Sequence, residues 1–327
     1  MSKKYYPFAM VTVFLVAFLA NQQGMPSQTD LRKATNLGVN VKAVQSGNEP
    51  VSETKVVMLG TGNPKIDPDR SGPATAIIVN NTAYLVDMGP GVVRRAKSAE
   101  LTKGIGALDP IKLRVVFVTH LHSDHTVGYA DLIFTPWTMG RRFPLEVYGP
   151  NGMKLMTEHL LKAYSVDIET RTNPEGNQRD FPDGYKVNAH EITAGVIYKD
   201  SNVTVTAFKT KHAMESYGYR FDTKDRSIVI SGDTNPTDAT IEACNGCDIL
   251  IHEAQTQAWL YTRPFTFQQF AAKYHTTTLQ LSELATRAMP GLLILYHYSG
   301  LSDEEIFNDM LTHYKGHFVI GRDLDVY

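Results

Sequence analysis

From Thr54 to the end, the chain alternates short apolar runs with turn residues. The runs are "KVVMLG", "TAIIVN", "AYLVD", "LRVVFV", "LEVYG", "VTVTAF", "YGYRF", "SIVIS", "DILIH", "LLILYH" and "HFVIG". Short β-branched runs closed by Gly, Asn or Asp predict strands. Two stretches show helical spacing instead, "GMKLMTEHLLKAY" and "TTLQLSELATRAM", the second opening on threonines able to cap it. No internal repeat or low-complexity block interrupts the pattern. Strand runs mixed with later helices predict two sheets with helices outside, in one domain of roughly 275 residues.

The N-terminus follows another pattern. Lys3 and Lys4 precede an uncharged apolar run from Tyr5 to Ala20, and polar residues take over at Asn21. A charged start and a short apolar run read as a secretory signal peptide over residues 1–24. The run is short for a spanning helix, which needs roughly 20 apolar residues. Phe18 spoils the small-residue pattern before Ala20, so an uncleaved anchor is the second reading. That anchor would be the chain's one contact with a membrane. Residues 25–53 are polar and aperiodic and read as a linker, which leaves 54–327 for the folded domain. The expectation is export, to a periplasm or the medium.

Composition narrows the partners. The 327 residues are 43% hydrophobic and 20% charged, with a formal net charge of -2, so there is no basic surplus to attract nucleic acid. The doublet Arg141-Arg142 reads as a solvated turn. Cys244 and Cys247 could pair in an oxidising compartment, but two cysteines make neither a disulfide framework nor a thiolate zinc site. They read as structural or incidental.

The chemistry concentrates in "THLHSDHT", residues 119–126. In extended backbone His120 and His122 project to the same side. Two imidazoles so placed suit a borderline-soft divalent metal such as zinc. Asp124 and His125 follow where the chain should turn into helix, and can face a second metal. These residues cannot close two coordination shells, so further ligands must come from far along the chain.

"HLHSDH" resembles the His-x-His-x-Asp-His signature of the metallo-β-lactamase superfamily, and the chain from about Thr54 onward is similar to its tRNase Z-like branch. "VVMLGTGNP", "YLVDMGPG", "KHAMESYGYRF", "ISGDT", "LIHEAQT", "YHTTT" and "LYHYSG" resemble that branch's motifs, in order. The resemblance implies a four-layer αββα sandwich in a single domain. It implies that His120, His122 and His212 hold one metal, that Asp124, His125 and His297 hold the other, and that Asp233 bridges them. The cofactor would be two zinc ions (Zn2+), with Mn2+ or Fe2+ as alternatives. Asp87 would orient a ligand histidine, or simply form the turn before "MGPG". His275 would sit near the leaving group as an acid, with Glu253 orienting it and Asp124 also serving catalysis. His159, His190, His252, His313 and His317 fall outside these roles.

Two metals lower the pKa of a bridging water and clamp substrate oxygens, which suits phosphodiesters and sulfate esters alike. Enzymes of the tRNase Z type carry a long tRNA-gripping arm between the second and third histidine motifs. Residues 126–211 show no basic, glycine-rich arm. Exported arylsulfatases exist in the same branch, and the aromatic residues of "YTRPFTFQQF" could line an aryl pocket or belong to the core. The first expectation is therefore an exported dinuclear zinc hydrolase of aryl sulfates or small phosphodiesters. Its partner would be a small anionic ester rather than nucleic acid, and a homodimer is compatible with it. The alternatives are a tRNase Z-type phosphodiesterase acting on RNA and a non-catalytic periplasmic zinc-binding protein.

Overall fold

The computed structural model describes residues 54–327. The expected signal peptide or anchor and the linker lie outside the described residues. Six strands form the first sheet in sequence order: β1 (Thr54–Gly60), β2 (Ala74–Val79), β3 (Thr82–Val86), β4 (Val115–Phe117), β5 (Leu145–Gly149) and β6 (Val187–Glu191). The second sheet holds β7 (Gly195–Lys199), β8 (Thr204–Lys209), β9 (Tyr217–Asp222), β10 (Ser227–Ile230), β11 (Ile249–Gln255), β12 (Leu292–Ser299) and β13 (Phe318–Ile320), again neighbour by neighbour. In each sheet an antiparallel run, β1–β3 in one and β7–β10 in the other, leads into a parallel half, β3–β6 and β10–β13.

The sheets face each other across a core that includes Val56, Met58, Ile77, Tyr84 and Phe117 from one and Val205, Tyr219, Phe221, Ile251 and Ile294 from the other. Their outer faces are apolar too. On the first sheet Val57, Leu59, Leu85 and Val116 pack beneath α1 (Val92–Lys103) and α3 (Tyr129–Thr138), with Met153 of α4 (Met153–Ala163) and Ile168 of α5 (Ser165–Thr172). On the second, Val229, Leu250, Leu293 and Leu295 pack beneath α6 (Asp238–Cys244), α9 (Thr278–Ala288) and α10 (Asp303–His313). Burial on both faces explains why the central strands read as unbroken apolar runs rather than alternating ones. The result is the expected four layers, helix, sheet, sheet, helix. At the outer edge of β1, Val56 and Tyr327 exchange two backbone hydrogen bonds of 2.9 Å, so the chain end covers what would be an open strand edge.

Every quoted run contains a strand, and both helical stretches are helices. α9 starts with a capping box, in which Thr277 accepts from the Gln280 amide while the Gln280 side chain accepts from the Thr277 amide. Cys244 and Cys247 are joined in a disulfide, and both are buried in the outer core of the second sheet. Their role is structural.

Candidate metal centre and its cavity

The functional side chains gather where strands end. β4 runs on through Val118 and Thr119 to His120, and His122 then caps α2 (Ser123–Thr126), a single turn carrying Asp124 and His125. This turn precedes α3 and is separate from it, so the "GYADLIF" helix itself carries no site residue. Asp233 follows β10 through Gly232, whose φ is +62° and whose hypothetical Cβ would lie 2.8 Å from Thr119. Only glycine makes that approach at that conformation. Gly89, in "YLVDMGPG", is equally constrained, since a Cβ there would meet the Asp124 carbonyl oxygen at 2.5 Å.

His297 is delivered by a bulge. β12 pairs with β11 in register through Glu253 and Tyr296, and pairing resumes at Ala254 with Tyr298, leaving His297 unmatched. Its φ of +47° is unusual for a residue with a side chain, and the Thr61 carbonyl accepts from its amide at 2.9 Å. Bulges of this kind re-aim a side chain beside a functional site. Asp87, at φ +62°, is the second such residue in the centre.

Two groups result. His120, His122, His212 and Asp233 form one and Asp124, His125 and His297 the other, and the ligand-type atoms within each lie no more than 4.8 Å apart. In the first, His122 Nδ1 is 3.0 Å from both His120 Nε2 and His212 Nε2. One ring nitrogen offers a single proton or a single lone pair, so hydrogen bonding satisfies this trio poorly and a shared cation satisfies it fully. In the second, His297 Nε2 is 3.1 Å from Asp124 Oδ2, and His125 Nε2 is 3.5 Å from the same oxygen. Asp233 faces both groups. Its Oδ1 lies 3.3 Å from His125 Nε2, while its Oδ2 lies 3.9 Å from His120 Nε2 and 3.4 Å from His297 Nε2. His125 Nε2 and Asp233 Oδ1 are buried without a hydrogen-bond partner. Buried polar atoms of this kind need a partner, and the donor set of imidazoles and carboxylates is one that divalent metals take.

Surrounding groups fix the ring orientations. Asp87 accepts from Thr119 N and from His125 Nδ1, both at 2.8 Å, which turns His125 Nε2 toward Asp233. Asp87 thus does orient a ligand-type histidine. His212 Nδ1 donates to the Tyr274 carbonyl at 3.1 Å and frees its Nε2 for the trio. Burial holds His120 well below the usual imidazole range, lowers His122, and brings His212 down to about 4. All three are neutral near pH 7, the form that binds metal.

Beside the groups, His275 Nδ1 lies 2.9 and 3.0 Å from the two oxygens of Glu253. Burial pulls His275 down, but the Glu253 carboxylate outweighs it and lifts the imidazole to about 9. Glu253 Oε1 also accepts from Thr234 N at 2.8 Å, and Asn235 Nδ2 donates to the His275 carbonyl at 3.1 Å, tying the pair to the Asp233 turn. His252, although adjacent to Glu253, is buried against that residue's carbonyl and stays outside. His190 bonds Glu146 at 2.9 Å and stacks on Tyr148, also outside.

His122, Asp124, Asp233 and His297 of these groups, with Glu253 and His275, line one side of a cavity of about 480 Å³. Its other side is Trp259, Phe267 and Phe270, with Lys65 and Arg263 at the cavity as well. Of the aromatic run read as pocket or core, Phe267 and Phe270 line the cavity, and none of Tyr261, Phe265, Phe267 and Phe270 is core, since all four are exposed. Lys65 and Arg263 were not anticipated from sequence, because single cations in polar loops carry no periodic signal. Among the described residues of the 126–211 segment no arm protrudes. The "TRTNPEGNQRDFPDG" loop packs back on α3, where Trp137 Nε1 donates to the Phe181 carbonyl at 3.0 Å.

Residues 82–298 match the family model of the β-lactamase superfamily domain. Ribonuclease Z of Mycobacterium bovis is 32% identical over 279 residues, covering 83% of this chain and 96% of that one. Among solved structures, the metallo-β-lactamase-fold protein YhfI of Bacillus subtilis superposes with a TM-score of 0.64 at 19% identity, over 84% of this chain and 98% of its own. The short form of human tRNase Z does so with 0.61 at 22% identity, over 84% and 98%. These relatives overturn the expectation of a hydrolase of aryl sulfates or small phosphodiesters whose partner is a small anionic ester rather than nucleic acid, since the relative matched along nearly its whole length is a ribonuclease Z. That expectation leaned on net charge, the N-terminal run and the lack of an arm, and none of these touches the residues around the cavity. With the ordered motifs, the four-layer sandwich and this identity, the chain belongs to the metallo-β-lactamase superfamily, in its tRNase Z-like branch.

Proposed function

We propose that the protein is a metal-dependent phosphodiesterase of ribonuclease Z type that cuts RNA. One observation carries this reading, the His275–Glu253 pair beside the two ligand groups. A phenolate leaves an aryl ester unaided, whereas a ribose oxygen leaves badly and gains from a proton donor. His275, held by both Glu253 oxygens and lifted to about 9, carries its proton at neutral pH. Its Nδ1 is taken by Glu253, so Nε2 is the nitrogen left to give a proton to the departing oxygen.

His120, His122 and His212 would hold one divalent metal and Asp124, His125 and His297 a second, with Asp233 offering an oxygen to each. Bound there, zinc, manganese or iron would stabilise charge on the phosphate oxygens and activate water. Asp87 would keep His125 Nε2 facing inward. Lys65 and Arg263 make no salt bridge among the described residues, and at the cavity they favour an anionic substrate. A separate proposal is export, supported by Lys3-Lys4 and the run Tyr5–Ala20, which cell fractionation tests.

The decisive experiment gives the metal-loaded protein end-labelled RNA, both single-stranded and tRNA precursors with 3′ extensions. Cleavage at internal bonds, lost with chelator and restored by zinc or manganese, is the expected result. Turnover of nitrophenyl sulfate with all RNA left intact would overturn the reading.

A further inference from the structure

The wall opposite the ligand groups turns its aromatic residues outward. It comes from α7 (Gln257–Tyr261) and α8 (Phe265–Tyr274), between β11 and α9. An amphipathic helix normally turns its aromatic residues to the core. Of α8, only Ala271 is buried, while Phe265, Phe267 and Phe270 are 72%, 37% and 36% exposed. Phe267, Phe270 and Tyr274 stand at i, i+3 and i+7, on one face.

Their rings form a continuous row. Trp259 meets Phe267 edge to face at 5.8 Å, Phe267 lies 6.3 Å from Phe270, and Phe270 lies 5.8 Å from His275. The row thus runs from the cavity's rim to the proton donor itself. Arg263 accompanies it, its guanidinium 5.1 Å over the Trp259 ring and, among the described residues, hydrogen-bonded only to Thr262 Oγ1. Exposed aromatic rings interleaved with a cation that has no acidic partner among the described residues are the elements of a single-strand stacking platform.

Resting on the RNA reading above, we propose that Trp259, Phe267 and Phe270 stack unpaired bases of the substrate strand on the leaving-oxygen side of the cut, with Arg263 on a neighbouring phosphate. The substrate is then an RNA that is single-stranded beside the cleaved bond on that side. Its bases are tolerated without regard to identity, because every base has a stacking face.

The test uses two RNAs that differ only at the nucleotide next to the cut on the leaving-oxygen side, which is a normal nucleotide in one and an abasic ribose in the other. Alanine substitution of a stacking ring costs on the order of 5- to 150-fold per base. The wild type should therefore prefer the base-bearing RNA by roughly tenfold or more in kcat/KM, mostly through KM. Phe267→Ala with Phe270→Ala should bring that preference close to one, and Phe270→Tyr should keep it. Arg263→Ala should flatten the salt dependence of KM. The preference is a ratio within one variant, so a partly misfolded sample leaves it unchanged. A wild type indifferent to the abasic site, or a double variant that retains the preference, overturns the stacking proposal while RNA cleavage stands. A wild type that cuts no RNA at all overturns the parent reading, and this one with it.

Discussion

Behind one side of the cavity, His120 and Asp233 follow strand ends and His125 sits on the turn α2, with 0%, 3% and 0% exposure, while on the other side the rings of α8 stand in solvent. The strand side has its orientations set twice, by backbone geometry and by partners such as Asp87 and the Tyr274 carbonyl. Ligand atoms need that, because a displacement of half an ångström spoils coordination. The helix side is fastened through Leu260 of α7 and Ala271 of α8, and has little apolar burial to resist movement. A chemical centre and a recognition surface thus ask opposite things of one fold. The first demands rigidity, and the second tolerates adjustment to whichever base arrives.

Breaking the strand side should give the largest effect. Asp233→Ala removes the one carboxylate that faces both groups. It is expected to abolish activity and to lose at least one equivalent of metal, read by elemental analysis of the purified variant. Two metals retained with near-normal rate would show that the groups are not joined through Asp233.

A smaller loss should follow at the boundary between the two sides. His275→Ala should leave metal content unchanged and lower the RNA rate on the order of 10²–10⁴-fold, with little loss on nitrophenyl diesters whose leaving group needs no proton. The comparison is a rate series over leaving groups of rising pKa. An equal loss across the series would make His275 a positioning residue.

Glu253→Gln sharpens the same boundary through pH. Glu253 is what lifts His275 to about 9, and the protonated form is the one proposed to act. Activity is then present below that pKa and lost as pH rises through it. With the carboxylate replaced by an amide the pKa falls, so the alkaline limb of the RNA rate profile should move to lower pH. A limb that stays in place would assign it to another group.

The smallest effect is expected on stability, at α8. Phe270→Ala should shift Tm by no more than about 2 °C, because surface substitutions stay within roughly 0.5 kcal/mol. Ile251→Ala, in the inter-sheet core, should cost about 2–5 kcal/mol. Calorimetry on both variants checks the contrast, and a large loss at Phe270 would move it from recognition surface to scaffold.

The same division governs what could be read in the sequence. Strands buried on both faces, such as β2 and β11, announce themselves as apolar runs. The edge strands β6 and β7, "VNAHE" and "GVIYK", are partly exposed on both faces and leave no such run. His120, His122, Asp124 and His125 were legible because coordination chemistry restricts type and spacing, whereas His212, Asp233 and His297 came only from the resemblance; the structure brings all seven together. The aromatic side was seen as a cluster of residues but not as a wall, since exposure depends on how α8 sits and composition is silent on that. The substrate class was misjudged for a related reason. Net charge sums the whole surface, whereas Lys65 and Arg263 act only where they stand.

The unmatched residue of β12 carries a wider meaning. Leu292–Tyr296 and Tyr298–Ser299 account for every pairing position on β11, so His297 is surplus to the sheet. Leu293 and Leu295 face the outer core, and Tyr298 does so too only because one residue has been inserted between them. The architecture is therefore complete without its chemistry, and the histidine is an addition to a strand that would close unaided. Excising that single residue from an engineered version should leave an intact scaffold with an empty centre. Such a separation of frame from reagent allows a sandwich of this type to change its reaction without relearning how to fold.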